Sequence, residues 1–399
     1  MSLAADSDDP AAPPDPAGSL DGFTALLAEA QRQLNICNAC RYCEGYCAVF
    51  PALERRTLLS PADMSHLANL CHDCRACLYA CMYAPPHEFG VNPPEILSQI
   101  RSRSWDAGVR PTQMRAWPGL GLARARTSVL AAWLATVGLM IVLAAATEGL
   151  GALWQSHPAA ASPYSVVSYP ALLVVMTIPF VLSAAALTWA GVRYWQRTRG
   201  PLRDLGNARA WYGALAAAAD LRYLKGGGAD CQYPTQQPSP LRRYLHGAVA
   251  YGFGLCVVST MAASVSQDIL GLQPPYPLLS VPVITGTLGG IGLVIGSAGL
   301  MALKRRSDPA ATDEAMVGRD YNLLAALAML GATGLATLIV RATPAFGAVL
   351  VIHLAAVAVC FAVAPFTKFS HALYRILALL QDSLEQAEQR RAQYPEIPA

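Results

Sequence analysis

Six long apolar runs occupy the second two-thirds of the chain, at about residues 127–147, 166–191, 245–265, 281–303, 321–340 and 345–366. Each holds about 20 or more residues, and 20 residues of helix rise roughly 30 Å, the hydrocarbon thickness of a bilayer. Gly and Pro inside them are compatible with membrane helices. These runs predict six transmembrane helices. Ahead of them, residues 19–100 show only short helical patterns. Ser19 and Asp21 followed by FTALLAEAQRQL read as a capped helix, and strand patterns are poor. The predicted fold class is therefore all-α, a small helical head joined to a six-helix transmembrane bundle in a lipid bilayer.

The polar segments set the boundaries and the orientation. Residues 1–18, MSLAADSDDPAAPPDPAG, offer nothing to bury and read as a disordered tail. They lack a basic stretch followed by an apolar one, so they are not a secretory signal. Residues 101–126, with Arg101, Arg103, Arg110, Arg115, Arg124 and Arg126, read as a basic connector anchored at the membrane surface. The predicted division is tail 1–18, head 19–100, connector 101–126, membrane domain 127–380 and C-terminal tail 381–399. Loops 148–165 and 266–280 hold no Lys or Arg, and 341–344 holds only Arg341, whereas 192–244 and 304–320 hold nine and four. Basic loops face the cytoplasm. Head and both termini are thus expected on the cytoplasmic side of a bacterial inner membrane. Within 192–244, NARAWYGALAAAADLRYLKGGG reads as a helix lying on that face, with Cys231 in the loop beyond it.

Composition narrows the class. Hydrophobic residues make up 54% of the chain and charged ones 14%, against about 25% charged in ordinary soluble domains. A soluble or disordered chain is excluded, and a net charge of +3 gives no reason to expect nucleic acid.

Eight of the eleven Cys precede the first apolar run. Cys37, Cys40, Cys43 and Cys47 are spaced C-x2-C-x2-C-x3-C, and Cys71, Cys74, Cys77 and Cys81 repeat that spacing. Two identical runs point to two cubane [4Fe-4S] clusters. In two-cluster ferredoxins the fourth Cys of each run ligates the other cluster. That groups Cys37, Cys40, Cys43 and Cys81 in one cluster, and Cys71, Cys74, Cys77 and Cys47 in the other. The Pro that follows the fourth Cys in the bacterial pattern is replaced here by Ala48 and Met82. Disulfides do not suit a reducing cytoplasm. With every cluster iron ligated by protein, the head is built to move electrons, not to bind substrate.

Among the histidines, His66, His72 and His87 in the head read as surface or supporting groups, and His157 as a solvated loop residue. His246, His353 and His371 lie in or beside the third and sixth spans. Ionisable groups at membrane depth are candidates for function, and paired imidazoles hold haem between helices. A lone membrane His can also serve as a hydrogen-bonding group within a bundle. Arg243 and Lys368 mark the cytoplasmic boundary. His246 lies three residues inside it and His371 three residues beyond, a depth difference of roughly 9 Å. The difference for His246 and His353 is roughly 18 Å. His246 and His371 are the expected axial pair of one haem b, with no C-x-x-C-H attachment motif. His353 and His371 are 18 residues apart, five turns on one face if the helix is unbroken. A second haem lacks a partner in the outer half of the third span, which offers Cys256 and Gln267.

The segments NICNACRYCEGYC, NLCHDCRACLYAC, SPLRRYLHGAVAYGFGLC, PPYPLLSVPVITGTLGGIGLVIGSAGL and FTKFSHALYR, in that order, resemble the tricarballylate- and citrate-utilisation protein B family over most of residues 23–380. The sixth span also resembles the cytochrome b subunit of respiratory nitrate reductases, where two His at this separation hold haem. The resemblance implies a membrane electron carrier. It would reoxidise an FAD-dependent tricarballylate dehydrogenase and pass electrons through clusters and haem to membrane quinone. No G-x-G-x-x-G fingerprint follows a strand, which fits a carrier that borrows its substrate chemistry. The donor is expected to dock on the head near Arg41, Arg55, Arg56 and Arg75. Two other functions compete: a quinol-driven reductase serving a cytoplasmic acceptor, and a tricarboxylate transporter. Almost no charge lies within the spans to serve a transported tricarboxylate.

Overall fold

The computed structural model describes residues 20–109, 128–155 and 162–393. The tail 1–18, connector residues 110–126 and His157 lie outside them. Thirteen α-helices and several short 3-10 turns make up the described chain, with no β-strand beyond one isolated bridge, Cys231 to Ser239. The fold is all-α. The head contains α1 (Leu20–Cys40), α2 (Val49–Glu54), α3 (Pro61–Leu70), α4 (Ala76–Tyr79) and α5 (Pro93–Val109). The bundle contains α6 (Ser128–Thr147), α7 (Tyr169–Thr198), α9 (Leu241–Ser264), α10 (Val281–Arg305), α11 (Glu314–Ile339) and α12 (Phe346–Val363). Two further helices, α8 (Ala208–Ala219) and α13 (His371–Gln393), lie outside the spans.

Six helices are long and apolar enough to cross a membrane, among them α9 extended by a π-turn to Ile269 and α12 extended by a 3-10 turn to Phe366. Their side chains face outward: on α7, Leu173, Val174, Ile178, Val181, Leu182 and Trp189 are each more than half exposed. A surface this apolar is a liability in water and unremarkable in lipid. Between helices, small residues replace the missing hydrophobic drive. A Cβ on Gly252 of α9 would sit 2.9 Å from the Gly289 carbonyl oxygen of α10, and one on Gly289 would sit 2.7 Å from Cys256 Sγ. The backbones of α9 and α10 thus touch directly.

The head does not hang from a linker. Its core residues Leu34, Leu53, Leu67, Leu97 and Trp105 share one apolar cluster with Ala190, Tyr194 and Trp195 of α7, Ala214 of α8 and Tyr374, Leu377 and Leu380 of α13. Trp105 stacks on Tyr374 at 5.8 Å between ring centres, and Tyr194 meets the same ring edge-on at 5.3 Å. Arg101 and Arg103, expected in a surface connector, belong instead to α5. Arg101 is buried and donates to the Cys71 carbonyl at 3.0 Å.

The last span also departs from expectation. Helix α12 ends at Val363, followed by 3-10 turns over Ala364–Phe366 and Lys368–Ser370. Pro365 has no N–H to continue the ladder. Thr367 is extended, and its hydroxyl caps Phe369 N. His371 therefore opens a new helix, and the unbroken five-turn relation to His353 does not hold.

Candidate electron-transfer site

Both Cys runs straddle helix ends, where the backbone can turn. Cys37 and Cys40 occupy the last turn of α1, which stops at left-handed Arg41 (φ 55°); Cys43 and Cys47 follow in turns. Cys71 caps α3, after which Asp73 (φ 53°) and Arg75 (φ 64°) are both left-handed and swing Cys74 and Cys77 inward. The thiols fall into two electrostatic neighbourhoods. Cys37 interacts with Cys81, Cys43 and Cys40, and Cys43 with Cys81 and Cys40. Cys47 interacts with Cys74 and Cys71, and Cys77 with Cys74, Cys47 and Cys71 and, least, with Cys43, where the two groups adjoin. The fourth Cys of each run is thus beside the first three of the other.

Burial, reinforced by these neighbours, pushes the Cys37 thiol up to about 12 and Cys43 to about 11; Cys47 and Cys77 rise well above the ordinary value. Thiols packed this way keep their protons unless a cation replaces them. Among the described residues no three Cys, His, Asp or Glu converge as a single-ion site requires. A cubane spreads its four sulfur ligands around a cube, wider than a mononuclear site. A largely apolar cavity lies beside the first run, and its lining includes Cys37, Cys40, Cys43 and Cys81, with Cys77 of the second run, Tyr42 and Met82. The donor set and the cavity fit an iron–sulfur cube.

His246, on the second turn of α9, and His371, at the start of α13, face each other with ring centres 6.3 Å apart and planes at 88°. A ring nitrogen lies about 2 Å from a bound metal and about 1.2 Å from its own ring centre, so one ion between two imidazoles separates the centres by roughly 6.4 Å. His371 Nδ1 donates to the Lys368 carbonyl at 2.5 Å, which leaves Nε2 with its lone pair. Burial, with Lys368 nearby, pushes His371 down to about 3, so its imidazole is neutral at pH 7, as a ligand must be. His246 Nδ1 is buried without a hydrogen-bond partner. The pair fits a bis-imidazole haem. His353 lies elsewhere, Nδ1 3.0 Å from the Thr333 hydroxyl of α11. Cys256 packs against Gly289, and Gln267 accepts from the Tyr164 hydroxyl.

Three of the four arginines expected to receive a donor are internal. Arg55 pairs with Asp382 and with Glu385 at 3.2 Å, and Arg56 with Glu385 and Asp63, each at 2.7 Å. Arg75 is buried, donating to Asp308 O at 3.0 Å and Thr312 Oγ1 at 2.9 Å. Asp382, Glu385, Asp308 and Thr312 lie more than 200 residues from the arginines they meet, so spacing could not reveal them. Arg41 is exposed. His66 is wholly buried, His87 is exposed, and His72 contacts Arg375 of α13 at 2.7 Å. Cys231 is buried beside Cys74, its thiol donating to Leu224 O at 3.0 Å. Its loop rests on the first Cys run: Gly227 (φ 74°) leaves only 3.2 Å between a would-be Cβ and Gly45 O.

Sequence reading also missed a buried triad at the head-facing end of the bundle. Asp320 pairs with Lys304 at 2.5 Å and with Lys368.

A family model described as Citrate utilization protein B matches residues 122–393, and one described as Citrate utilization protein B Fer4-like domain matches residues 30–107. A relative from Escherichia coli, Citrate utilization protein B, is 36% identical over 373 residues, covering 93% of this chain and 95% of its own length. No solved structure matches.

Proposed function

The chain belongs to the citrate utilization protein B family, and from that footing we propose that it carries electrons from a reduced flavoprotein to membrane quinone. In this reading Cys37, Cys40, Cys43 and Cys81 hold one [4Fe-4S] cluster, and Cys71, Cys74, Cys77 and Cys47 hold the second. His246 and His371 hold one haem b. The flavoprotein is an FAD-dependent tricarballylate dehydrogenase. Head and termini face the cytoplasm of a bacterial inner membrane. The observation that carries the reading is the histidine pair, 6.3 Å between ring centres, directly beneath a head with two thiol quartets.

Clusters and haem supply one-electron chemistry at tunable potentials. This chain's part is to bring them close, keep water away and hold the imidazoles neutral. The donor docks where the head's first quartet approaches the surface: Cys40 is exposed, and Tyr42 and Met82 beside it are 61% and 64% exposed.

The test uses the full chain in liposomes with reduced flavoprotein and quinone. Iron and sulfide for two cubes, an extractable haem spectrum, and flavoprotein-dependent quinol formation are expected. His246→Ala and His371→Ala each abolish the haem spectrum, Cys74→Ser blocks haem reduction by the flavoprotein, and His353→Ala leaves the haem in place. Zinc in place of iron, or normal haem in both His variants, refutes the assignment. If quinol reduces the clusters while the flavoprotein cannot, the outward reductase is correct instead.

A further inference from the structure

The loop carrying the second Cys run is pinned carbonyl by carbonyl. Leu70 O accepts from Arg375 Nη1 at 2.8 Å, and Cys71 O from Arg101 Nη1 at 3.0 Å. His72 O accepts from Arg242 Nη2 at 3.2 Å, and Asp73 O from Arg242 Nη1. Cys74 O accepts from Gln232 N at 3.0 Å. Five successive carbonyls are therefore held by residues from outside the loop. Two of the three arginines come from the histidine-bearing helices. Arg242 lies one turn before His246 on α9, and Arg375 one turn after His371 on α13.

We propose that Arg242 and Arg375 form a paired clamp that fixes the Cys71–Cys74 loop against the His246 and His371 helices, making both of them positioning residues for the cofactors on either side. The proposal rests on reading His246 and His371 as haem ligands.

Two further features support a clamp over incidental contact. The held segment is strained, since Asp73 and Arg75 are non-glycine residues at positive φ. Such residues persist only where the surroundings over-determine them. Arg242 bonds one of the two directly, and its guanidinium carbon lies 4.6 Å from the Tyr233 ring centre, the same distance as that of Arg75. The second feature is charge. Arg375 and Arg101 meet carbonyls here, and Arg375 also meets the His72 ring. His72 Nδ1 lies 2.7 Å from both Leu70 O and Arg375 Nη1; a guanidinium only donates, so toward Arg375 the ring nitrogen is an acceptor, and Leu70 O takes its hydrogen bond from the arginine. Asp73 is the nearby carboxylate, shared between Arg75 at 3.6 Å and Arg242 at 3.9 Å. Buried cations are otherwise paired. This excess of positive charge faces Cys71 and Cys74, where a thiolate-ligated cluster would bring negative charge.

Lysine keeps the charge but offers its donors from one nitrogen, without the planar fork that sets two nitrogens on separate carbonyls. The experiment therefore compares the full-length holoprotein with Arg242→Lys, Arg375→Lys and, as a control, Arg56→Lys, whose partners Glu385 and Asp63 lie in the same seam but away from the loop. Three quantities are read: haem content, iron content, and, in samples freeze-quenched before the reduced cluster passes its electron on, the broadening of the second cluster's paramagnetic resonance signal by ferric haem. Both clamp variants are expected to retain haem while losing that broadening or losing the second cluster's iron alone; Arg56→Lys retains all three. Unchanged broadening in both clamp variants overturns the proposal. So does equal loss in Arg56→Lys, which would mean general loosening of the seam. Absence of haem from the unmodified protein would instead overturn the haem assignment, and loop positioning would then be read from second-cluster iron alone.

Discussion

Glu385→Gln should unfasten the head from α13. Glu385 accepts from Arg56 at 2.7 Å and 3.1 Å, from Arg55 at 3.2 Å and from Gln381 at 2.9 Å, with its side chain only 14% exposed. Burial raises its pKa, but His66, protonated in acid, and then Arg56 outweigh that and hold it at about 2 against an ordinary 4.5. Buried His66 is itself pushed down to about 3 and is neutral at pH 7, so the arginines supply the charge there. At about 1.4 kcal/mol per tenfold change in acidity the full shift amounts to about 3 kcal/mol, of which only the arginines' share remains at neutral pH. Asp382 and Asp63 still neutralise Arg55 and Arg56 in the variant, so about 1–2 kcal/mol is expected, a roughly 5- to 30-fold rise in seam opening. Because the folded carboxyl is the more acidic one, its stabilisation is complete above pH 4.5 and is lost as pH falls toward about 2. Protease cleavage within α13, under conditions where opening is a pre-equilibrium, reads that population. Acceleration below about threefold at pH 7 would refute the reasoning. So would additive effects of Arg56→Gln and Glu385→Gln, since partners in one ion pair must couple.

Asp320→Asn leaves Lys304 and Lys368 facing each other without their shared carboxylate, an expected loss of about 3–5 kcal/mol that thermal unfolding in detergent would register; an unchanged midpoint would contradict it. Gly252→Leu drives a side chain into the Gly289 and Leu293 backbone and should part α9 from α10, costing at least the ~1–3 kcal/mol of an overpacked core. Gly254→Leu, with nothing within 4 Å of its would-be Cβ, should be tolerated, and equal damage from both variants would show that the glycine contact is not the cause.

Much of this architecture depends only on local pattern. An apolar run of 20 residues has to become a helix across a bilayer, because no other conformation satisfies its backbone there. That is why six spans and an all-α fold were readable without coordinates. Duplicated Cys spacing is likewise a local signal, and so is the rarity of His at membrane depth, from which depth alone singled out His246 and His371. Contacts between distant segments are a different matter, since spacing carries no record of them. Arg55 and Arg56 look like solvated surface charges in sequence, yet they meet Asp382 and Glu385 more than 300 residues away. Arg101 looks like a membrane anchor, yet it closes on Cys71. Pro365 marks a possible break, but only the folded chain reveals that the break turns His371 out of the sixth span and onto a separate helix beside His246. The head's seat on α7, α8 and α13 is tertiary for the same reason: it is made from one face of each of several helices, and which faces meet is decided by packing complementarity among residues that are neighbours only after folding.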